Sequence, residues 1–510
     1  NKEQASAIKH IVSGTSRPAP YLVFGPPGTG KTFTIVEAMK QVSHDFQLVQ
    51  THILACTPSN NAADLITERL LDNENILGGI LRLNAVSRSW KSVPDRIKSV
   101  CNHNKESGTY YYPNKQTIQK YRVIVCTAIT AGRLSSARFP KGHFTHVFFD
   151  EAGHSLEPET LISVTNILTI GTGLLVLAGD QKQLGPILRS PFAIKYGLNM
   201  SLLERYMTQE DVYAKIASES GVMKYNPNVL TKLVKNYRSH ADILHHPNQL
   251  FYDNELEACA DKSIANMMCG WEGLPNKKFP IIFHPLYGEE LREERSPSFF
   301  NPEEAYLVLQ YVKDLKKLTG KYKLEDKDIG IITPYQKQVQ KIQHMMSSNR
   351  WKNIRVGSVE EFQGQERKVI IVSTVRSSPE FLSLDINFKL GFLRNPKRFN
   401  VTVTRAKSLL IIIGNPNILS LDDNWSRYEV VYCRLRDIKR FFMVNLNFLS
   451  SGVLIIASYI LRYHFLTAKV IPPLLLTWSM SFQSKKKVWI SKTEFITSLY
   501  IIIDIYKTIP

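Results

Sequence analysis

Residues 25–32 read GPPGTGKT, lying between the apolar run YLVF at 21–24 and a stretch of helical spacing, TFTIVEAMKQV. A G-x-x-x-x-G-K-[ST] turn in that context permits few folds, because its backbone N–H groups must converge on phosphate oxygens while a helix opens behind them. Gly25, Pro26, Pro27, Gly28, Thr29 and Gly30 form the turn. Lys31 would then neutralise charge between the last two phosphates of a nucleotide, and Thr32 would ligate magnesium. Such a turn demands a strand ending on it, and hence an α/β architecture.

The rest of the chain supplies that architecture. Short apolar runs recur to about residue 415: HILAC, VIVC, HVFF, LLVLA, PIIF, IGIIT, VIIVST and LLIIIG, separated by polar turns and helical stretches. Runs of this kind predict parallel sheets covered by helices on both faces. A length of 510 residues exceeds what one core organises. The strands divide into two α/β domains, 1–215 and 216–426, with the boundary inside the polar stretch 207–228. The formal charge of +19 favours a polyanionic partner such as nucleic acid, and also fits a membrane surface.

Two segments stand apart. Residues 80–121 carry eight Lys/Arg against two acids, with Trp90, Tyr110, Tyr111 and Tyr112 interleaved. That mixture suits a basic clamp on a single strand, where bases stack on rings and cations track phosphates, or else an ordinary solvated insertion. Residues 427–510 form a basic and apolar tail with twelve Lys/Arg against four Asp/Glu. The tail's uncharged run 441–461 is long enough to span a bilayer, but Asn445, Asn447, Ser450 and Ser451 interrupt it, so a membrane anchor is not expected. The six cysteines show no metal spacing and no disulfide framework, which fits a reducing compartment. The first residues, NKEQASAIKH, lack an initiator Met and a signal-peptide pattern, so an upstream segment is expected.

The chemistry-bearing motifs follow the P-loop in order. THVFFDEAGH ends an apolar strand in two acids: Asp150 can hold magnesium, and Glu151 can act as the base toward an attacking water. LLVLAGDQKQ ends another strand in Gln183, placed to sense a terminal phosphate. Gln4, in NKEQ, reads an adenine edge or caps a helix. The second half has no P-loop of its own, yet KNYRSH, ITPYQKQ, VGSVEEFQGQERK and RFNVTVTRAK set polar and basic residues beside its strands.

Together these motifs resemble the Up-frameshift-like helicases of superfamily 1, branch B, from Asn1 to about Trp425. FGPPGTGKT, FTHVFFDEAGHSLEPE, LAGDQKQLGPILRSP, KLVKNYRSH and RVGSVEEFQGQE are most similar to the Armitage-type RNA helicases, the Moloney leukaemia virus ten homologues. The resemblance implies two tandem RecA-like domains closing on ATP and Mg2+ and moving 5′ to 3′ on single-stranded RNA. It implies an RNA-dependent ATPase of RNA silencing or decay, cytoplasmic and in ribonucleoprotein granules, with proteins of those pathways as partners. A DNA helicase of the same superfamily and a non-catalytic RNA-binding scaffold are the alternatives. On this reading Gln4 and Tyr237 hold adenine, Glu366 meets the ribose, and Lys31 and Thr32 serve phosphates and magnesium. Asp150 and Glu151 supply metal binding and base, while Gln183, Arg238 and Arg405 surround the terminal phosphate. RNA would meet Pro58, Ser59, Asn60, Thr127, Thr333, Pro334 and Tyr335. Segment 80–121 matches a subdomain that such helicases insert in the first domain. Finally, NVTVTRAK alternates like a strand, but the resemblance implies a short helix there, with Lys407 a solvated charge.

Overall fold

The computed structural model describes residues 1–44, 51–72, 79–188, 190–217, 221, 223–293, 296, 298–381 and 395–426. The tail 427–510, with its run 441–461, lies outside the described residues. Among those described, no helix is long and apolar enough to cross a membrane.

Seven parallel strands make the first sheet: β1 (Tyr21–Phe24), β2 (Ile53–Thr57), β3 (Ile80–Arg82), β4 (Val123–Thr127), β5 (His146–Phe149), β6 (Leu174–Gly179) and β7 (Leu230–Lys232). Their order is β7-β1-β6-β5-β2-β4-β3. The second sheet, also parallel, contains β8 (Ile281–Pro285), β9 (Ile329–Ile332), β10 (Arg355–Gly357), β11 (Arg367–Ser373) and β12 (Ala406–Gly414), in the order β8-β12-β11-β9-β10. These are the two RecA-like domains, and all nine apolar runs became strands.

Burial on both faces explains why those runs read as unbroken apolar stretches. In β1, Leu22 and Phe24 enter one apolar cluster, and Tyr21 and Val23 enter the cluster on the opposite face. The second sheet repeats this arrangement, with Ile370 and Val372 of β11 on one side and Val369 and Ile371 on the other. Two pairs of helices matter for the site: α1 (Lys2–Ser13) and α2 (Lys31–His44), then α3 (Asn60–Leu71) and α4 (Ala128–Ser136), all in the first domain. In the second half, α5 (Ala241–Phe251), α6 (Pro302–Lys316), α7 (Gln336–Ser348) and α8 (Pro396–Val403) do the same work.

Three short strands correct the sequence reading. β7 pairs with β1, Leu22 opposite Leu230, so the first sheet takes its edge strand from beyond the expected 215/216 boundary. β3 pairs with β4, so residues 80–82 belong to the sheet and the insertion begins after them. β10 closes the other edge of the second sheet. Each is three residues long and carries a cation, Lys232, Arg82 or Arg355, and so presents no apolar run.

The insertion builds its own small core from Val93, Ile97 and Cys101. Its aromatics pack on each other rather than standing free: the Trp90 ring lies 3.8 Å from that of His103 at an interplanar angle of 7°, with Tyr110 edge-on. Lys98 sits 5.4 Å over Trp90. Tyr112 turns inward against the main core and lies under Arg133, leaving Tyr111 as the exposed ring.

The segment 396–403 is a helix, as the resemblance implied and its alternation did not. Pro396 stands in its first turn, where a missing N–H costs nothing, and Asn395 caps it by accepting from the Arg398 backbone N–H at 3.1 Å. Phe399 through Val403 are all buried, so tertiary packing outweighs the strand propensity of Val and Thr.

Candidate functional site

The order of the first sheet places three motifs side by side. β1, β6 and β5 are neighbours, and at their carboxyl ends stand GPPGTGKT, Asp180 to Gln183, and Asp150 with Glu151. The crevice beyond the carboxyl ends of parallel strands is where open α/β sheets bind ligands. The second domain faces this edge with the opposite ends of its strands, since Glu366 and Arg405 immediately precede β11 and β12, which begin paired at Arg367 and Ala406. Both sets line one cleft of about 710 Å³, which includes Gly28 to Thr32, Asp150, Glu151, Gln183, Tyr237, Arg238, Glu366 and Arg405.

The P-loop is held in shape from behind. Lys31 Nζ donates to the Gly25 carbonyl at 2.6 Å, and Thr29 Oγ1 donates to the Pro26 carbonyl at 2.8 Å. Gly28 has φ 71°, and a Cβ there would lie 2.5 Å from Arg238 Cβ, so only glycine fits where the second half packs on the loop. Asn236 Nδ2 donates to the Pro27 carbonyl at 2.6 Å and the Tyr237 N–H to the Gly28 carbonyl at 2.8 Å, which ties KNYRSH to the loop. No acid stands in the first turn of α2, so that helix start favours an anion.

A nucleotide with magnesium fits these residues. Thr32 Oγ1 donates to Asp150 Oδ2 at 2.7 Å, putting the two expected metal donors together at the loop. Burial, with Glu151 beside it, raises the Asp150 carboxyl to about 6 against the opposing pull of Thr32 and Lys31, and a bound cation would favour its charged form. Among the described residues no group of three His, Cys, Asp or Glu gathers for a metal. Magnesium bound chiefly by phosphate and water needs no such group. Glu151, at the cleft wall, holds φ 55°, a left-handed conformation that is uncommon outside glycine and clusters at functional sites.

From the second domain, Arg405 reaches Gln183. Its guanidinium is 1% exposed, and its hydrogen bonds go to the carbonyls of Val401 and Gln365, Gln183 Oε1 at 3.2 Å and Thr404 Oγ1. None of these acceptors is a carboxylate. Burial, reinforced by Arg238, lowers its pKa to about 9 although Glu151 and Glu366 act the other way, so it remains a cation at neutral pH and forms no ion pair among the described residues. Arg238 is engaged through Nε with Glu366. Lys407 Nζ meets the other oxygen of Glu366 at 2.7 Å. Lys407 is therefore an ion-pair partner of Glu366 and not the solvated charge its sequence suggested.

Gln4 lies behind the loop rather than on the cleft wall. It completes the capping box of α1 with Asn1, and its Nε2 donates to the Thr29 carbonyl at 3.2 Å. Tyr237 is 46% exposed at the cleft, its hydroxyl accepting from Asn1 Nδ2 at 2.8 Å.

Two AAA-domain family models match this chain, one over residues 1–105 and 82–191, the other over 198–417. "Putative helicase mov-10-B.1" of Danio rerio is 53% identical over 444 residues, 85% of this chain and 43% of the relative. "RNA helicase Mov10l1" of Mus musculus is 46% identical over 83% of this chain and 34% of its own length. "Probable RNA helicase armi" of Drosophila melanogaster is 37% identical over 85% and 38% respectively. This chain belongs to the Up-frameshift-like superfamily 1 helicases. It spans less than half the length of the relatives it matches. Its AAA-domain matches imply nucleotide use.

In this chain the RNA candidates fall at strand ends. Pro58, Ser59 and Asn60 follow β2, Thr127 ends β4, and the register sets Thr57 opposite Thr127. Pro58 and Ser59 line the cleft, whereas Asn60 Oδ1 accepts from Arg82 Nη2 at 2.9 Å. Arg82 is itself fixed by Asp64 at 3.0 Å, which also binds Arg88, so a buried Arg-Asp-Arg set anchors Asn60 to the insertion. Thr333 follows β9 with a buried hydroxyl that has no hydrogen-bond partner among the described residues. Pro334 is half-buried beside it. The Tyr335 ring is 4% exposed, packed edge-on against Phe299 and beneath Arg376, so it offers no face to a base.

Sequence reasoning missed Asn236, Asp64, Arg82, Tyr252 and Asn400. Asn236 and Asn400 stand inside quoted motifs, and that company was the only available signal. For Tyr252 there was none.

Proposed function

We propose that this chain is the motor of an ATP-dependent RNA helicase that translocates 5′ to 3′ on single-stranded RNA, hydrolysing ATP to ADP and phosphate. One observation supports it above the rest: Arg405, a buried guanidinium that donates to no carboxylate among the described residues, lines the same cleft as the P-loop lysine of the other domain. A buried cation held only by neutral oxygens is costly, and an anion entering the cleft relieves that cost.

In this reading Lys31 and the start of α2 hold the phosphates. Thr32 and Asp150 hold magnesium, which when bound neutralises phosphate charge. Glu151 takes a proton from the attacking water, and Gln183 orients that water or the phosphate it leaves. Arg405 and Arg238 approach as the domains close and meet charge developing on the transferred group. Tyr237 packs on the base, Gln4 supports the loop nearby, and Glu366 takes a ribose hydroxyl once Arg238 turns to phosphate. Pro58, Ser59, Thr127, Thr333 and Pro334 meet the strand through backbone and small polar groups, which suits a motor that ignores sequence. Action in RNA silencing or decay, in the cytoplasm and with the proteins of those pathways, belongs to the same proposal and rests on family resemblance.

Steady-state ATPase assays test it. Turnover should rise several-fold with poly(U) RNA, and Glu151→Gln should abolish the rise. An unstimulated chain, or a variant that keeps full turnover, would sink the proposal. Equal stimulation by matched DNA would instead favour a DNA helicase.

A further inference from the structure

Asp180 follows β6 and is 3% exposed, but it belongs to neither the metal site nor the phosphate cradle. Its Oδ2 accepts two hydrogen bonds, from Gln183 Nε2 at 2.6 Å and from the Tyr252 hydroxyl at 2.8 Å. Tyr252 terminates α5 and is fully buried. The same phenol oxygen accepts from Asn400 Nδ2 at 2.7 Å. Asn400 lies on α8, the helix that leads into Arg405, and Arg405 Nη2 donates to Gln183 Oε1 at 3.2 Å. The result is a closed ring through Asp180, Gln183, Arg405, α8, Asn400 and Tyr252. It crosses between the two domains twice.

Each group in the ring has a single workable orientation. Asp180 fixes the Gln183 amide with its nitrogen inward, which leaves Oε1 for Arg405. Only a hydroxyl can donate to Asp180 while accepting from Asn400. Burial, with Asp180 second, holds the phenol well above its ordinary pKa, so the donated proton stays on Tyr252. Asn400 Nδ2 also donates to the Lys182 carbonyl at 2.9 Å, so α8 is pinned to the first domain beside the motif that carries Gln183.

We infer that Tyr252 is a positioning residue for ATP hydrolysis, its hydroxyl bridging Asp180 and Asn400 so that Gln183 and the Arg405-bearing helix keep one mutual register. The inference rests on the function proposed above. Losing the hydroxyl leaves Asp180 with an unmet acceptor site and leaves Asn400 held by the Lys182 carbonyl alone. Gln183 can then rotate, and Arg405 loses its fixed approach.

The test is poly(U)-stimulated ATPase kinetics of the unaltered chain, Tyr252→Phe, Gln183→Ala and the double variant, each with its melting temperature. Tyr252→Phe keeps the ring and its packing. It should lower kcat by about tenfold or more while the KM for ATP stays within about twofold. In the Gln183→Ala background the same change should cost less than about twofold, because the hydroxyl acts through Gln183. A kcat within about twofold of the unaltered chain overturns the inference, as does an equal loss in both backgrounds or a change confined to KM. If Tyr252→Phe does not fold, Asn400→Ser cuts the bridge from its other end and is judged by the same criteria. An unaltered chain without stimulated turnover overturns the proposed function and this inference with it. An active chain indifferent to Tyr252→Phe overturns this inference alone.

Discussion

Arg405 shows how much one side chain depends on where the fold puts it. Its hydrogen-bond acceptors are all neutral, and Glu151 and Glu366 offset its burial only in part, so an anion reaching the cleft adds compensation. Arg405→Ala should therefore cut stimulated kcat by about three powers of ten while ATP still binds, as found for arginines of this role in other nucleotidases. Arg405→Lys should recover little, because a point charge cannot reproduce the planar fork. Glu366 is the opposite case. Burial alone would raise its carboxyl, but Arg238 and Lys407 outweigh burial and hold it at about 2, against an ordinary value of 4.5. Stability from these pairs is complete above the ordinary value and is lost as pH falls toward 2. Glu366→Gln should accordingly melt below the unaltered chain at pH 7, with the gap shrinking between about pH 5 and pH 3. Partial exposure of the pair keeps the effect small.

At the level of elements, α8 converts local chemistry into placement of the finger. Its cap is a lone asparagine, and Asn395→Ala should cost about 1 kcal/mol in chemical denaturation. Helix α6 carries a different device. Glu304, near its start and fully buried, accepts from the Val375 N–H through both oxygens, at 3.0 and 2.9 Å, and from Ser373 Oγ at 2.6 Å. Val375 has φ 71°, a strained conformation for a β-branched residue, and the Glu304 carboxyl pins it. Burial raises that carboxyl to about 7 despite these donors. Here the sign reverses: the protonated folded form contributes stability below the ordinary value of 4.5, and this is lost as pH rises through 7. Differential scanning between pH 5.5 and 8.5 should show the chain losing stability with rising pH, and Glu304→Gln should flatten that slope.

Across the whole molecule, the two sheets meet at opposite strand ends, so neither domain holds a complete site. On the proposed function, closure is the step that assembles it. The net charge of +19 predicts strongly salt-dependent RNA binding, with log affinity falling about 0.7 per phosphate contact for each unit of log salt. Lys91 and Lys105 are exposed in the insertion, while Lys98 is occupied with Trp90 and Asp95. Neutralising Lys91 and Lys105 to Gln should lower that slope by up to about 1.4 if the insertion grips RNA, as fluorescence titration would show. An unchanged slope would leave the insertion a solvated excursion.

The amino-acid sequence by itself determined the parts whose physics is local. A P-loop is a backbone shape set by glycines at fixed spacing, and a doubly covered strand announces itself as an apolar run. Acids at a strand end declare themselves in the same way. Only the tertiary structure decided the pairings: Lys407 with Glu366, Tyr252 with Asp180 and Asn400, Arg82 with Asn60. It also assigned β3 and β7 to the first sheet, and it turned NVTV into a helix. These depend on partners that packing brings together from distant stretches of chain. No residue's own chemistry, nor its neighbours', specifies which of many compatible partners will stand opposite it.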